Sequence, residues 1–336
     1  MLVFSSAVAG TNRIKLENEV IKMASSRNKK LKIVNLVDLM IESGKDINTE
    51  ISAVTLPNLD IKTLEIVKAA ALHRIADETK YNKDTDFIID GRTSFWWKNG
   101  PLSLLNIDDF KQVKPDFFVT ILASPDKLLR NLKSKVEWSD KEIDEYEIAI
   151  WSEVELYTVN LISKAIGRKN YVMGSKEDPQ TLYDLIYKPN KPKVYISYSI
   201  EHRVNSYANL KRFVRKLKKY VTVFDPKGAD IDFYKAGYQV EPRLRELVFN
   251  QTVRRDYAMV DQVDMVVIHL SALNYSSGVD SERMHAHTTG KPVLLYFPFD
   301  TYSPFTPYFV DKMFRTEREL LDAIKKRAGA LTKEKR

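Results

Sequence analysis

The chain has 336 residues, no cysteine, and 53 Lys+Arg against 45 Asp+Glu, a formal charge of +8. The length leaves room for two domains of ordinary size, and a chain without cysteine forms neither disulfides nor thiolate metal sites. No apolar run is long enough to span a bilayer and Met1-Leu2-Val3-Phe4 is no basic leader, so a soluble cytoplasmic protein is expected. The only dense basic runs, Lys325–Arg327 and Lys333–Arg336, read as a solvated helix end, so nucleic acid is not the expected partner. The absence of cysteine together with 29% charged residues suits a hot-adapted organism.

In chain order, Met1–Val8 is a predicted strand and Ala9–Arg13 a turn, followed by a helix through Ile14–Met23 and a strand at Lys32–Leu36. A helix is expected over Leu64–Thr79, a strand over Phe87–Gly91, a strand over Asp116–Leu122 and a helix over Pro125–Leu132. A long helical stretch occupies Ser139–Gly167, then a strand at Asn170–Met173 and a helix from Asp178. Strands and helices alternate throughout, which argues for a three-layer α/β domain.

That order, with Ile89-Asp90-Gly91, Lys114-Pro115-Asp116 and Ser124–Arg130, resembles the nucleoside monophosphate kinases of the archaeal adenylate kinase type over about Met1–Tyr187. The resemblance places a nucleotide site at Gly10, Arg13 and Asp90. An active P-loop wraps Gly-rich backbone around phosphates, sets a Lys on the β/γ oxygens and a Ser/Thr on Mg²⁺. Here Ala7 stands for the first Gly, Asn12 for the Gly before the Lys, Arg13 for the Lys and Ile14 for the metal-binding hydroxyl. Between Lys133 and Asp140 there is no Arg to stabilise a transferring phosphoryl group. The expectation is a kinase-like domain, 1–187, that has lost phosphoryl transfer and binds nucleotide or serves as a scaffold, with ATP and Mg²⁺ left open.

Residues 188–193, with Pro189, Pro192 and three lysines, read as a stiff linker, and 194–336 as a second domain. Val194–Ser199 is a predicted strand, Asn205–Lys219 a helix, Tyr220–Phe224 a strand and Asp225–Gln239 a long loop. Pro242–Val260 is a helix, Met265–Leu270 the central strand, Val293–Phe297 another, and Thr316–Arg327 a closing helix. Ser276-Ser277-Gly278-Val279-Asp280-Ser281-Glu282 links the central strand to a short helix expected to start near Ser281 and to stop at Gly290-Lys291-Pro292. Ligands of open α/β sheets bind at such strand ends, and a helix start attracts anions and keeps a carboxylate in its first turn ionised. Taken alone, Glu282 reads as a first-turn helix acid or as a nucleophile, and Asp256 as a surface acid paired with Arg254 or Arg255 or as a general acid.

Lys193-Val194-Tyr195, Asp256, Ser276-x-Gly278-x-x-x-Glu282 and Gly290-Lys291-Pro292, in this order, resemble the nucleoside 2-deoxyribosyltransferases and related nucleotide N-glycosidases over about Lys193–Arg327. The resemblance implies two three-layer α/β domains with mainly parallel sheets, the second of flavodoxin/Rossmann type. It implies Glu282 attacking C1′ of a nucleoside or nucleotide, Asp256 serving the leaving base, and Tyr195 holding the nucleophile. It needs no cofactor, and its relatives commonly form homo-oligomers. Ser at 276 is the residue found in relatives acting on 5′-monophosphates, so Ser197, Arg203, Ser276, Ser277 and Gly278 are expected substrate contacts, with the Asp280 charge set against a phosphate. The aromatic loop Phe299–Phe309 could stack on a base or pack at an interface. His285 and His287 cannot share one helix face, and no metal site is expected. Tyr195–Ser199 also looks like the start of a TIR domain, so NAD cleavage is a second reading, a nucleotide-sensing protein a third, and an active nucleotide kinase fused to the transferase a fourth.

Overall fold

The computed structural model describes residues 1–97, 99–139, 141–199, 204–229, 241–272 and 276–334. The protein is α/β, with a parallel five-stranded sheet in each of two compact units. Unit 1 comprises Met1–Lys176 with Ala229–Gln251, and unit 2 comprises Glu177–Gly228 with Thr252–Arg336.

Unit 1 contains β1 (Leu2–Ser6), α1 (Arg13–Ser25), β2 (Leu31–Asn35), α2 (Leu36–Ser43), α3 (Ile61–Tyr81) and β3 (Asp86–Gly91). An antiparallel hairpin, β4 (Ser94–Trp97) and β5 (Gly100–Ser103), follows, then α4 (Ile107–Val113) and β6 (Phe117–Leu122). The rest is α5 (Pro125–Lys133), α6 (Val136–Ser139), α7 (Glu145–Ala165) and β7 (Asn170–Gly174). The sheet order is β2-β3-β1-β6-β7. β1, β3 and β6 are nearly all buried, as strands covered on both faces by helices must be. Strands added before β6 lie on one side of β1 and later ones on the other, so the loop after β1 opens at the switch point.

Unit 2 contains α8 (Pro179–Tyr187), β8 (Lys193–Ser197), α9 (Val204–Leu217) and β9 (Thr222–Phe224). The division between the units falls inside α10 (Pro242–Asp261). Then come β10 (Met265–His269), α11 (Ser277–Thr288), β11 (Val293–Tyr296), α12 (Phe305–Tyr308), β12 (Lys312–Phe314) and α13 (Glu317–Glu334). The parallel order β12-β11-β10-β8-β9 places the switch point between β8 and β10. Val194 and Ile196 of β8, with Met265 and Val267 of β10, join Phe213, Leu217 and Ile324 in one core. The alternate residues Tyr195 and Ser197 therefore point to the other face, toward α11, because successive strand side chains alternate.

Several elements depart from the sequence expectation. Helix α2, α4 and the β4–β5 hairpin were not anticipated, and α8 packs on β9. The predicted helix from Ser139 begins at Glu145, where Asp144 and Glu147 form a reciprocal capping box. The loop expected over Asp225–Gln239 begins with a 3₁₀ turn at Pro226–Ala229, and its remainder lies outside the described residues. No helix among the described residues is long and apolar enough to cross a membrane.

Candidate active site

Helix α11 starts at Ser277, four residues before the expected start. Ser276 is its N-cap, its hydroxyl facing the Val279 N–H at 3.5 Å, and the Asp280 N–H already donates to the Ser276 carbonyl at 3.1 Å. At the other end Gly290, at φ 70°, lets the Gly290 N–H reach the His287 carbonyl (3.1 Å) and the Lys291 N–H reach the Ala286 carbonyl (2.8 Å). This Schellman closure explains why Gly290-Lys291-Pro292 stops the helix.

The earlier start moves Glu282 from the first turn to the second, on the buried stripe Val279, Glu282, Arg283, Ala286. Its carboxyl group is 9% exposed by residue and takes two hydroxyl donors from β8. The Tyr195 hydroxyl donates to Oε1 at 2.7 Å, and the Ser197 hydroxyl donates to Oε2. Tyr195 and Ser197 are fully buried, and burial with the neighbouring Glu282 charge raises the Tyr195 phenol well above its usual range, so it is a fixed donor. The Glu282 carboxyl is pushed up to about 8, first by burial and then by the Asp256 charge, against the two hydroxyl bonds and Arg255. This corrects the expectation of a carboxylate kept ionised by a helix mouth: the second turn lies too far from the free N–H groups, and burial wins.

Asp256 lies on α10 and is held by Arg255, whose Nε and Nη2 donate to Oδ1 at 2.9 and 2.8 Å. Of the two readings of Asp256, the pairing with Arg255 is present, with Arg255 buried and Asp256 half-buried, and desolvation raises the Asp256 carboxyl. Asp280 pairs with the buried Arg283 at 2.8 Å, and Arg283 also donates to the Thr306 carbonyl at 3.1 Å. The Asp280 charge is thereby balanced within its own helix.

Of the expected substrate contacts, Ser276, Ser277 and Gly278 form the start of α11, and a Cβ on Gly278 would meet the Ser276 hydroxyl at 4.0 Å, an ordinary contact. Ser197, expected at a phosphate, donates its hydroxyl to Glu282. Arg203 lies outside the described residues. The second hydroxyl clamp and the buried Arg255 were missed. Ser197 was legible as the residue two places after Tyr195 on one strand face, whereas the burial of Arg255 had no sequence signal. Phe299 and Tyr302 pack edge-on against Phe297, while Phe305 and Tyr308 are exposed. Among the described residues no three His, Asp or Glu are grouped to hold a metal ion.

In unit 1, Gly10, Arg13 and Asp90 all line one cavity of about 820 Å³. Arg13 begins α1 after Asn12, which is in the left-handed conformation. Its guanidinium turns back, donating to Asp90 and to the Ala7 carbonyl (3.0 Å), while Asn35 donates to the other Asp90 oxygen at 3.2 Å. Burial lowers the Arg13 guanidinium to about 10. Residues Ala7–Thr11 are buried, Asn131 donates to the Gly10 carbonyl at 2.6 Å, and a Cβ on Gly10 would meet the Leu128 carbonyl at 2.8 Å. Glu155, from α7, accepts from Ser6 and from the backbone and hydroxyl of Ser94 (2.9 and 2.6 Å), an internal acid that no motif announced. Asp90→Ala would remove the closest carboxylate from the buried Arg13 cation and leave it only Glu17, 3.8 Å from its Nε, so urea melts should show a loss of about 1.5–3 kcal/mol.

Residues 19–148 match the family model described as AAA domain. The match is under half of the chain and begins beyond the Ala7–Ile14 loop. A comparison with curated proteins finds no match. Among solved structures, a conserved protein from Enterococcus faecalis is 16% identical, with 40% of this chain and 98% of that chain covered, at a TM-score of 0.28. A 2-deoxyribosyltransferase from Bacillus psychrosaccharolyticus is 18% identical, with 39% and 90% covered, at a TM-score of 0.30.

Proposed function

We propose that unit 2 cleaves or transfers at the N-glycosidic bond of a (deoxy)nucleoside or nucleoside 5′-monophosphate, with Glu282 as nucleophile. The observation that carries this reading is the buried Glu282 carboxyl held by two hydroxyl donors from β8 at the sheet's switch point. The motif order Lys193-x-Tyr195, Asp256, Ser276-x-Gly278-x-x-x-Glu282 supports the same chemistry.

Glu282 attacks C1′ as the bond to the base breaks, giving a glycosyl ester on the carboxylate oxygen. The electron pair of the broken bond leaves with the base, which takes a proton from Asp256. Water or a second base then attacks C1′, returns its proton to Asp256 and frees Glu282. This cycle starts with Glu282 ionised and Asp256 protonated. Tyr195 and Ser197 favour that form by donating to the Glu282 charge, while the Asp256 charge and burial disfavour it. The two carboxyls therefore titrate as a pair.

In unit 1 the reading is a kinase-like frame without phosphoryl transfer. Arg13 is engaged by Asp90 and Ala7, and the Ile14 side chain has no oxygen for Mg²⁺, so these residues do not fit a triphosphate–Mg²⁺ group. The test is incubation with deoxynucleosides, dNMPs and NAD, with and without ATP. Free base from a deoxynucleoside or dNMP is expected, with no phosphorylated product. Nicotinamide release alone, or no base from any substrate, would overturn the reading of unit 2.

A further inference from the structure

The two carboxyls of the proposed reaction sit on different helices, Asp256 on α10 and Glu282 on α11, and each has a neighbour that bridges to the other helix. Tyr257 follows Asp256, and Ser281 precedes Glu282; the Tyr257 and Ser281 hydroxyls are hydrogen-bonded to each other. One turn further along both helices, His285 Nε2 bonds Asp261 Oδ1 at 2.8 Å. The His285 ring also lies flat on Tyr257, with centroids 4.1 Å apart and planes within 2° of parallel. Two polar rungs joined by a ring stack thus span the helix pair beside the site. At the far end of α10, Lys291 adds a staple to the Asp261 and Val263 carbonyls at 2.8 and 2.7 Å.

We propose that Tyr257, Ser281, His285 and Asp261 are positioning residues, a clasp that fixes the spacing of α10 and α11 and so holds Asp256 against Glu282. This rests on the reading of Glu282 and Asp256 as the reacting pair. None of the four bonds the Glu282 carboxyl: the groups that act on it are Tyr195 and Ser197 from β8, and Arg255 and Asp256 from α10. Only the α10 groups depend on the helix spacing. A helix pair without such rungs is free to slide, and a shift of about 1 Å at a reacting group can cost about 10²-fold in rate. His285 and Tyr257 also lie on neighbouring turns whose residues at i and i+4 share a face, so the clasp acts along two turns.

The experiment compares the full chain with His285→Ala and Tyr257→Phe, reading the Glu282 carboxyl by ¹³C NMR titration, assigned with Glu282→Gln. Loosening the clasp moves the Asp256 charge away and admits water, so in His285→Ala the Glu282 midpoint is expected to fall from about 8 toward 4.5. Base release, compared at each protein's own pH optimum so that the shifted midpoint does not enter, is expected to lose about 10-fold in kcat with KM changed less than about 2-fold, the mark of misplaced chemistry rather than weakened binding. Tyr257→Phe, which keeps the stack and loses one rung, should fall between His285→Ala and the parent in both readouts. An unmoved Glu282 midpoint in both folded variants overturns the clasp, whether or not base is released. Should His285→Ala not fold, Tyr257→Phe decides by the same readout. A parent that releases no base counts against the proposed function, and the titration still decides the clasp.

Discussion

Glu282→Gln is expected to abolish base release, lowering kcat by at least about 10³-fold, while the protein stays folded. The substitution keeps the shape of the side chain and removes its charge. The amide oxygen can still accept from the Tyr195 hydroxyl, and the amide NH₂ can donate to Ser197, so both buried hydroxyls keep a partner. What is lost is the ability to form a glycosyl ester, for which a neutral amide is no substitute. A binding role for Glu282 gives a different result: hydrogen bonds of this kind are worth about 1–3 kcal/mol, or roughly 10- to 100-fold, and would show in KM. Base release within about 10-fold of the parent would sink the nucleophile. The check is free base measured by chromatography over several hours, beside a circular dichroism melt that establishes folding.

Much of the α/β alternation could be read from the chain because parallel strands buried on both faces give continuous apolar runs such as Phe87–Ile89 and Met265–Ile268. Turns that need a special backbone were equally plain, as at Gly290. The short elements were not legible. Helix α2 begins immediately after β2, at Leu36, so one apolar run carries two periodicities, and the strand period hides the helix. At the site, the residues and their order were readable, since Tyr195 and Glu282 carry the motif. Their ionisation was not. It depended on whether α11 began at Ser276–Ser277 or near Ser281, and that four-residue shift exchanged a helix-end carboxylate for a buried one. Arg13 was legible as a substitution for lysine, but its turn back onto Asp90 depends on β1 and β3 being neighbours, with Ser5 beside Asp90 in the register.

The same carboxyl should make the protein less stable as pH rises, and Glu282→Gln should remove that contribution. In the unfolded chain a Glu titrates near 4.5, and in the folded protein Glu282 titrates at about 8. Below 4.5 both states hold the proton and folding is unaffected. Between 4.5 and about 8 the unfolded chain releases its proton while the folded one keeps it, so stability from this group falls as pH rises, up to a limit reached near 8. Glu177, buried beside Asp225 and also raised to about 8, contributes in the same direction. The pH slope of the parent alone therefore cannot be assigned to the site, and the difference between parent and variant can. Glu282→Gln should gain about 1–3 kcal/mol at pH 8.5, measured by urea unfolding, with the gain disappearing below pH 4.5. The reaction needs Glu282 ionised while Asp256 keeps its proton, so kcat/KM should follow a bell, rising as the pair loses its first proton and falling as it loses the second. A variant equally stable at pH 8.5 and pH 4, relative to the parent, would mean that Glu282 meets water freely, and a pocket open to water at that point would not shelter a glycosyl ester long enough to choose its acceptor.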